Sequence, residues 1–196
     1  MTDILFLFFT LGYLLGSLNT SVIVGKIYGK DIRDHGSKGA GLTNAHRVLG
    51  KPAALFVLIG DVLKGIIACL IGAYFFGYEG LLVAGAGAVI GHCWPVYFGF
   101  KGGKGVLTAG AVLFMANWTV ALVCLGFFVI IVALTRYVSL GSICASMLGA
   151  AISFLPAFGS ILYFYVFCCV MASIIVIKHR ANIKRLLMGQ ENKLKL

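Results

Sequence analysis

Charge is what this sequence has least of. Only 11% of its 196 residues are Asp, Glu, Lys or Arg, against roughly a quarter in soluble domains, while 61% are hydrophobic and mean hydropathy is +1.03. A soluble domain is excluded, and the chain reads as an integral membrane protein. Carboxylates are the scarcer sign: 6 Asp and Glu stand against 16 Lys and Arg, a net charge of +10. That shortage argues against a carboxylate-ligated divalent metal, so neither metal nor cofactor is expected. The positive excess comes without a nucleic-acid motif and is assigned to anionic lipid headgroups and anionic substrates. The six cysteines show neither a disulfide framework nor a zinc spacing. No positive residue precedes the first apolar run and no small-residue cleavage site precedes Lys26, so that run is expected to be a retained span. Neither a GxxxxGK[ST] phosphate loop nor a GxSxG elbow is present, and no convincing internal repeat emerges.

What the chain does have is a series of apolar runs. Ile4–Val24 is about one bilayer thickness of helix, and its far end, from Gly16 to Ser21, is polar enough to face protein. A hydrophilic segment from Lys26 to Lys51 follows, glycine-rich at first, with an interfacial helix expected from Thr43. Spans are expected at Pro52–Phe76 and Leu81–Phe98, joined by a turn at Gly77–Gly80. Val106–Thr135 fits one long tilted span or two short ones broken at Asn117–Trp118. Charge favours two, because only then do Lys101 and Arg136 share a face. A last hairpin over Val138–Ile177, turning near Pro156 and Gly159, brings the basic tail to that face. The expectation is a single polytopic domain over 1–196, all-α, with seven transmembrane helices, the N-terminus outside and the C-terminus cytoplasmic.

Three polar clusters then meet the cytoplasmic face: Gly36–Arg47, Lys101–Gly105 and Lys178–Arg185. In Lys101-Gly102-Gly103-Lys104, glycines let backbone N–H groups approach an anion and lysines supply point charge, although the same residues would also serve as a basic membrane anchor. His179 and Asn182 stand at i,i+3 and share a face if their helix continues, while Arg136–Ser142 adds hydroxyls. Asp61 and Lys64, also i,i+3, pair within the second span, either for function or to lock helices together. His92, before Cys93-Trp94-Pro95, reads as structural.

Taken together, these residues resemble the bacterial membrane glycerol-3-phosphate acyltransferases that use acyl phosphate as donor, the PlsY family. The resemblance runs through Asp31-Ile32-Arg33 with Gly36-Ser37; Gly41 with Thr43-Asn44 and Arg47; Gly91-His92 with Pro95; Phe100–Val106; Ser139-Leu140 with Ser142; and His179 through Asn182 to Arg185, with Gly189 and Glu191. One departure is that Lys38 and Gly39 follow Gly36-Ser37 where the family usually has Gly-Asn.

The resemblance implies transfer of a fatty acyl group from acyl phosphate to the 1-hydroxyl of glycerol 3-phosphate, giving lysophosphatidate and phosphate in phospholipid synthesis. It implies Ser37, Arg47, His179 and Asn182 as catalytic residues, and Thr43, Asn44, Lys101, Gly102, Gly103, Lys104 and Ser142 as substrate-binding ones. Glu191 would support structure, an ordinary salt bridge being the simplest reading. The implied setting is the bacterial cytoplasmic (inner) membrane, with membrane lipids around the chain and no obligatory protein partner. The rival class is an organic-phosphate transporter or channel. Its usual paired repeats and midplane site are not evident, since the polar residues crowd one surface.

Overall fold

The computed structural model describes residues 2–158 and 161–194, so the turn residue Gly159 lies outside the described residues. Those residues form helices and short turns, with no strand among them. The chain divides into two compact units, Met1–Met115 and Ala116–Leu196.

In the first unit, α1 (Thr2–Ser17) stops at a polar break and α2 (Thr20–Ile27) starts anew. Asn19 causes the restart: its Oδ1 accepts from Val22 N at 3.2 Å and from Ser21 Oγ at 2.7 Å, capping α2. Ser17 Oγ accepts from Val96 N at 3.3 Å and Asn19 Nδ2 donates to the His92 carbonyl at 3.5 Å. The polar end of the first run is therefore turned toward protein, as its composition predicts. The expected single helix is instead two, because buried side-chain acceptors compete with the backbone.

A turn at Ile32–Asp34 leads to α3 (Leu42–Leu49), whose apolar side packs with Val24, Ile32, Ala53 and Val57. Next comes α4 (Lys51–Cys93), whose helical dihedrals fail at Phe76 and Gly77, where Gly77 takes φ +56°. The chain doubles back there. A Cβ on Gly72 would strike the Gly80 carbonyl, one on Gly85 would lie 3.1 Å from Cys69 Sγ, and Lys64 meets His92. The two expected spans and their turn are thus two antiparallel arms. The second arm ends at Cys93, short of Phe98, because Pro95 cannot continue it and a turn at Val96–Phe98 follows.

Glycine decides how α1 meets the second arm. Added Cβ atoms on Gly12 and Gly16 would overlap the carbonyls of Ala84 and Ala88, and on Gly87 and Gly91 those of Phe9 and Tyr13. These are two Gly-xxx-Gly faces packed backbone to backbone, the arrangement by which membrane helices gain dispersion contact without a hydrophobic driving force. α5 (Val106–Ala116) is the last helix to begin in this unit.

In the second unit Asn117 caps α6 (Trp118–Thr135), accepting from Val120 N at 3.1 Å while its Nδ2 donates to the Phe158 carbonyl at 3.0 Å. The break expected at Asn117–Trp118 is therefore real. Arg136, at φ +62°, ends α6, and α7 (Val138–Ile152) returns with Gly141 against Phe128 and Val132. After a turn at Pro156–Phe158, α8 (Leu162–Lys178) completes the expected hairpin, and the path bends by 60° at His179 into α9 (Arg180–Leu187).

Among the described residues three stretches are long and apolar enough to cross a bilayer, Asp3–Ile27, Lys51–Phe98 and Trp118–Thr135, and α8 with α9 adds a fourth if the bent pair counts as one span. Large apolar side chains such as Phe6, Leu63, Leu125, Ile130 and Leu162 are exposed, as a lipid-facing surface requires.

Candidate active site

Arg33 organises the first loop. Asp31 caps the Ile32–Asp34 turn and takes the Arg33 guanidinium at 2.9 Å (Nε) and 2.6 Å (Nη2), while Arg33 Nη1 donates to the carbonyls of Phe98 at 3.1 Å and Lys101 at 3.4 Å. Its charge-assisted fork ties the loop before α3 to the loop after α4. Hydrogen bonds from Arg33 hold the Asp31 carboxyl down at about 2, and Asp31 raises Arg33 in turn. A cleft of about 620 Å³ opens here, walled by Asp31, Arg33, Asp34, Lys38, Lys101 and Gly102 among others. With Arg33 and Asp31 cancelling, Lys38 and Lys101 outweigh Asp34, so the wall is cationic. Lys38 sits at φ +57°, a strained conformation for a residue with a Cβ.

Ser37 is held through its backbone. Buried Asn44 on α3 accepts from Ser37 N at 2.8 Å and donates to the carbonyls of Ile32 at 2.8 Å and His35 at 3.1 Å, so its amide braces the loop that carries Ser37. Thr43 and Arg47, one turn apart, lie exposed on α3, while Ser37 and Lys104 are half-buried.

The glycines of the second loop pack on the chain itself. Gly103 N donates to the His92 carbonyl at 3.1 Å, and a Cβ there would strike His92 Nε2 and the Ala40 carbonyl. One on Gly102 would strike the His92 carbonyl and Pro95. The space where each Cβ would lie is filled by protein, and Gly102 lines the cleft.

In the second unit the C-terminal tail supplies the organiser. Glu191 accepts from Asn182 Nδ2 at 2.6 Å, Ser139 Oγ at 2.9 Å and Arg185 Nε at 2.7 Å. Burial pushes its carboxyl up, but these hydrogen bonds and the Arg185 charge outweigh that and hold it below its ordinary value. The salt bridge is present within a larger network, and Asn182 turns its amide to Glu191. Buried His179 does not share a straight helix with Asn182: it sits at the bend, its Nδ1 2.8 Å from the Ile175 carbonyl. A carbonyl only accepts, so Nδ1 carries the proton and Nε2 is the basic nitrogen of the neutral ring. Ser142 Oγ donates to the Val138 carbonyl of its own helix at 2.9 Å.

The sequence pairs Asp61 with Lys64 and reads His92 as structural. Lys64 Nζ lies 2.9 Å from Asp61 Oδ1, 2.8 Å from His92 Nδ1 and 3.3 Å from the Leu18 carbonyl, and all three side chains are buried. No spacing rule reports a contact across 28 residues. No group of three or more His, Cys, Asp or Glu suited to a metal occurs among the described residues.

A family model for glycerol-3-phosphate acyltransferase matches residues 6–189. A protein of that name from Thermoanaerobacter pseudethanolicus is 43% identical over 185 residues, covering 94% of this chain and 92% of the relative. One from Clostridioides difficile is 45% identical over 189 residues, covering 93% and 91%. The crystal structure of PlsY (YgiH), an integral membrane glycerol 3-phosphate acyltransferase, superposes in its glycerol 3-phosphate form with TM-score 0.91 at 38% identity, covering 97% of this chain and 96% of that one. Its lysophosphatidic acid form gives TM-score 0.88 at 37% identity, covering 97% and 95%.

Proposed function

The chain belongs to the glycerol-3-phosphate acyltransferase family, and on that premise we propose that it moves a fatty acyl group from acyl phosphate to the sn-1 hydroxyl of glycerol 3-phosphate. The observation that carries the reading is the cleft between the first and second loops, where Lys38 and Lys101 outweigh Asp34 around a space large enough for a phosphorylated polyol. The glycerol 3-phosphate form of the solved relative supports the same ligand class.

The reaction needs little covalent help from the protein. Acyl phosphate is a mixed anhydride with a good leaving group, so positioning and charge stabilisation supply much of the rate. The glycerol oxygen forms a bond to the acyl carbonyl carbon, the bond from that carbon to the phosphate oxygen breaks with its electron pair, and inorganic phosphate leaves. The hydroxyl proton passes to His179 Nε2 or to a phosphate oxygen of the acceptor, a monoester that titrates near neutrality. Arg47, Lys101 and Lys104 offset phosphate charge, Ser37 and Thr43 donate hydrogen bonds, Asn44 braces the loop that carries Ser37, and Asn182 is anchored by Glu191. Gly102 and Gly103 shape the second loop, and Ser142 lines the acyl path. The setting is the bacterial cytoplasmic membrane, with seven spans, the C-terminus inside, and no obligatory protein partner or cofactor. A direct transfer follows because no GxSxG elbow or hydrogen-bonded base activates Ser37 among the described contacts.

Incubating pure protein with acyl phosphate alone and weighing it intact tests the route. The proposal expects no acyl adduct; an acylated Ser37 that forms and discharges at the turnover rate overturns it. Offering acyl phosphate and an acyl thioester side by side tests the donor. Product from the thioester alone would remove the donor assignment.

A further inference from the structure

The buried charges beneath the candidate site form a cluster the proposed chemistry does not use. Asp61, Lys64 and His92 are 1%, 6% and 3% exposed. Burying a carboxylate, an ammonium and an imidazole in an apolar helical hairpin is costly, so a cluster that merely joined the two arms of α4 would be better replaced by apolar residues. Two hydrogen-bonding facts give it direction. Lys64 Nζ reaches His92 Nδ1 at 2.8 Å, while Asp61 Oδ1 stands 2.9 Å from Lys64 Nζ and 3.4 Å from His92 Nδ1. Neither Asp61 oxygen has a hydrogen bond of good geometry, so its part is Coulombic.

The ion pair with Asp61 Oδ1 at 2.9 Å keeps the shared proton on Lys64. An ammonium has no lone pair, so His92 Nδ1 must accept and Nε2 must carry the ring hydrogen. That nitrogen points at the meeting place of the two loops: a Cβ on Gly103 would strike His92 Nε2 and the Ala40 carbonyl oxygen together. The His92 carbonyl accepts from Gly103 N at 3.1 Å.

We propose that Asp61 and Lys64 fix His92 as its Nε2–H tautomer, and that His92 clamps the Ala40 loop and the Gly102-Gly103 loop in the spacing that the glycerol phosphate site needs. The three are positioning residues, acting on the substrate through the loops. This rests on the glycerol 3-phosphate reading of the site, but its structural part is independent of it. Lys64→Met removes the donor that sets the tautomer, and Asp61→Asn removes the charge that keeps Lys64 protonated.

Two measurements test it. Histidine ¹⁵N spectra of the parent protein, with the His92 signals assigned by their loss in His92→Gln, should show Nε2 protonated and Nδ1 bare. A His92 protonated at Nδ1 overturns the proposal even if the protein is active. In steady state, His92→Gln, which keeps an amide donor near the Nε2 position, should hold the KM for glycerol 3-phosphate within about threefold, whereas His92→Asn and Lys64→Met should raise it roughly tenfold or more. The KM for the acyl donor should move less. Asp61→Leu with Lys64→Met removes both charges together; if this double variant regains parental KM as well as stability, the cluster only joins helices and the proposal fails. Should the double variant not fold, the Gln and Asn pair decides: equal KM values for the two overturn it. Absence of any acyl transfer by the parent would count against the function and leave the tautomer to the spectra.

Discussion

At the residue scale, the candidate residues differ in exposure and in bonding. Arg47 is exposed on α3 and Lys104 is half-buried at the glycine loop, whereas Asn44 and Glu191 spend their hydrogen bonds inside the protein. Losing one partner of a charge-assisted bond to phosphate costs about 2 to 3 kcal/mol. Arg47→Ala and Lys104→Ala are each expected to raise the KM for a phosphorylated substrate correspondingly. Unchanged kinetics in both would reduce the second loop to a membrane anchor. Glu191→Gln should instead lower stability, because Arg185 and Asn182 lose an anionic acceptor. The pH dependence has a definite sign. The folded carboxyl is depressed below its ordinary 4.5, so its contribution is whole above that pH and fades as pH falls through the depressed value. Thermal unfolding of parent and Glu191→Gln should therefore differ at neutral pH and converge in acid.

At the element scale, hydropathy made the helices legible and their partners illegible. The break at Asn117, the turn at Gly77 and the polar end of the first run could all be read from local composition, because caps and turns act within a few residues. The break between α1 and α2 is not legible because it is fixed by Ser17 and Asn19 meeting the distant Val96 N–H and His92 carbonyl. His92 itself was assigned a structural part, and only the antiparallel arms of α4 show what it holds. The Gly12/Gly16 and Gly87/Gly91 spacings are in the sequence, yet nothing there says they face each other. That packing is testable: Gly91→Val would drive a branched side chain into the Tyr13 carbonyl. Overpacking of this kind costs about 1 to 3 kcal/mol, and detergent-solubilised variant protein should melt lower than Gly110→Ala, where a Cβ would meet open space. Equal melting temperatures would mean that the helices do not pack as described.

At the scale of the whole molecule, the composition predicts a multi-pass membrane protein, and its family membership agrees. The proposed seven-span topology makes a sharper statement, that Lys104 and Arg136 face the same side. Single cysteines at these positions should label together with a membrane-impermeant maleimide on inverted vesicles; labelling from opposite sides would contradict the two-span reading of Val106–Thr135. The candidate residues were legible as three polar islands in an apolar chain, since charge in such a chain needs a reason. Their internal bonding was not legible, because a hydrogen bond between residues far apart leaves no periodic trace. The proposed reaction is tested most directly by reconstituting the pure protein in liposomes with acyl phosphate and glycerol 3-phosphate and following both products. The account predicts lysophosphatidate and inorganic phosphate in equal amounts, neither formed when either substrate is withheld. Glycerol 3-phosphate entering the vesicles without lysophosphatidate would contradict it and favour a transporter.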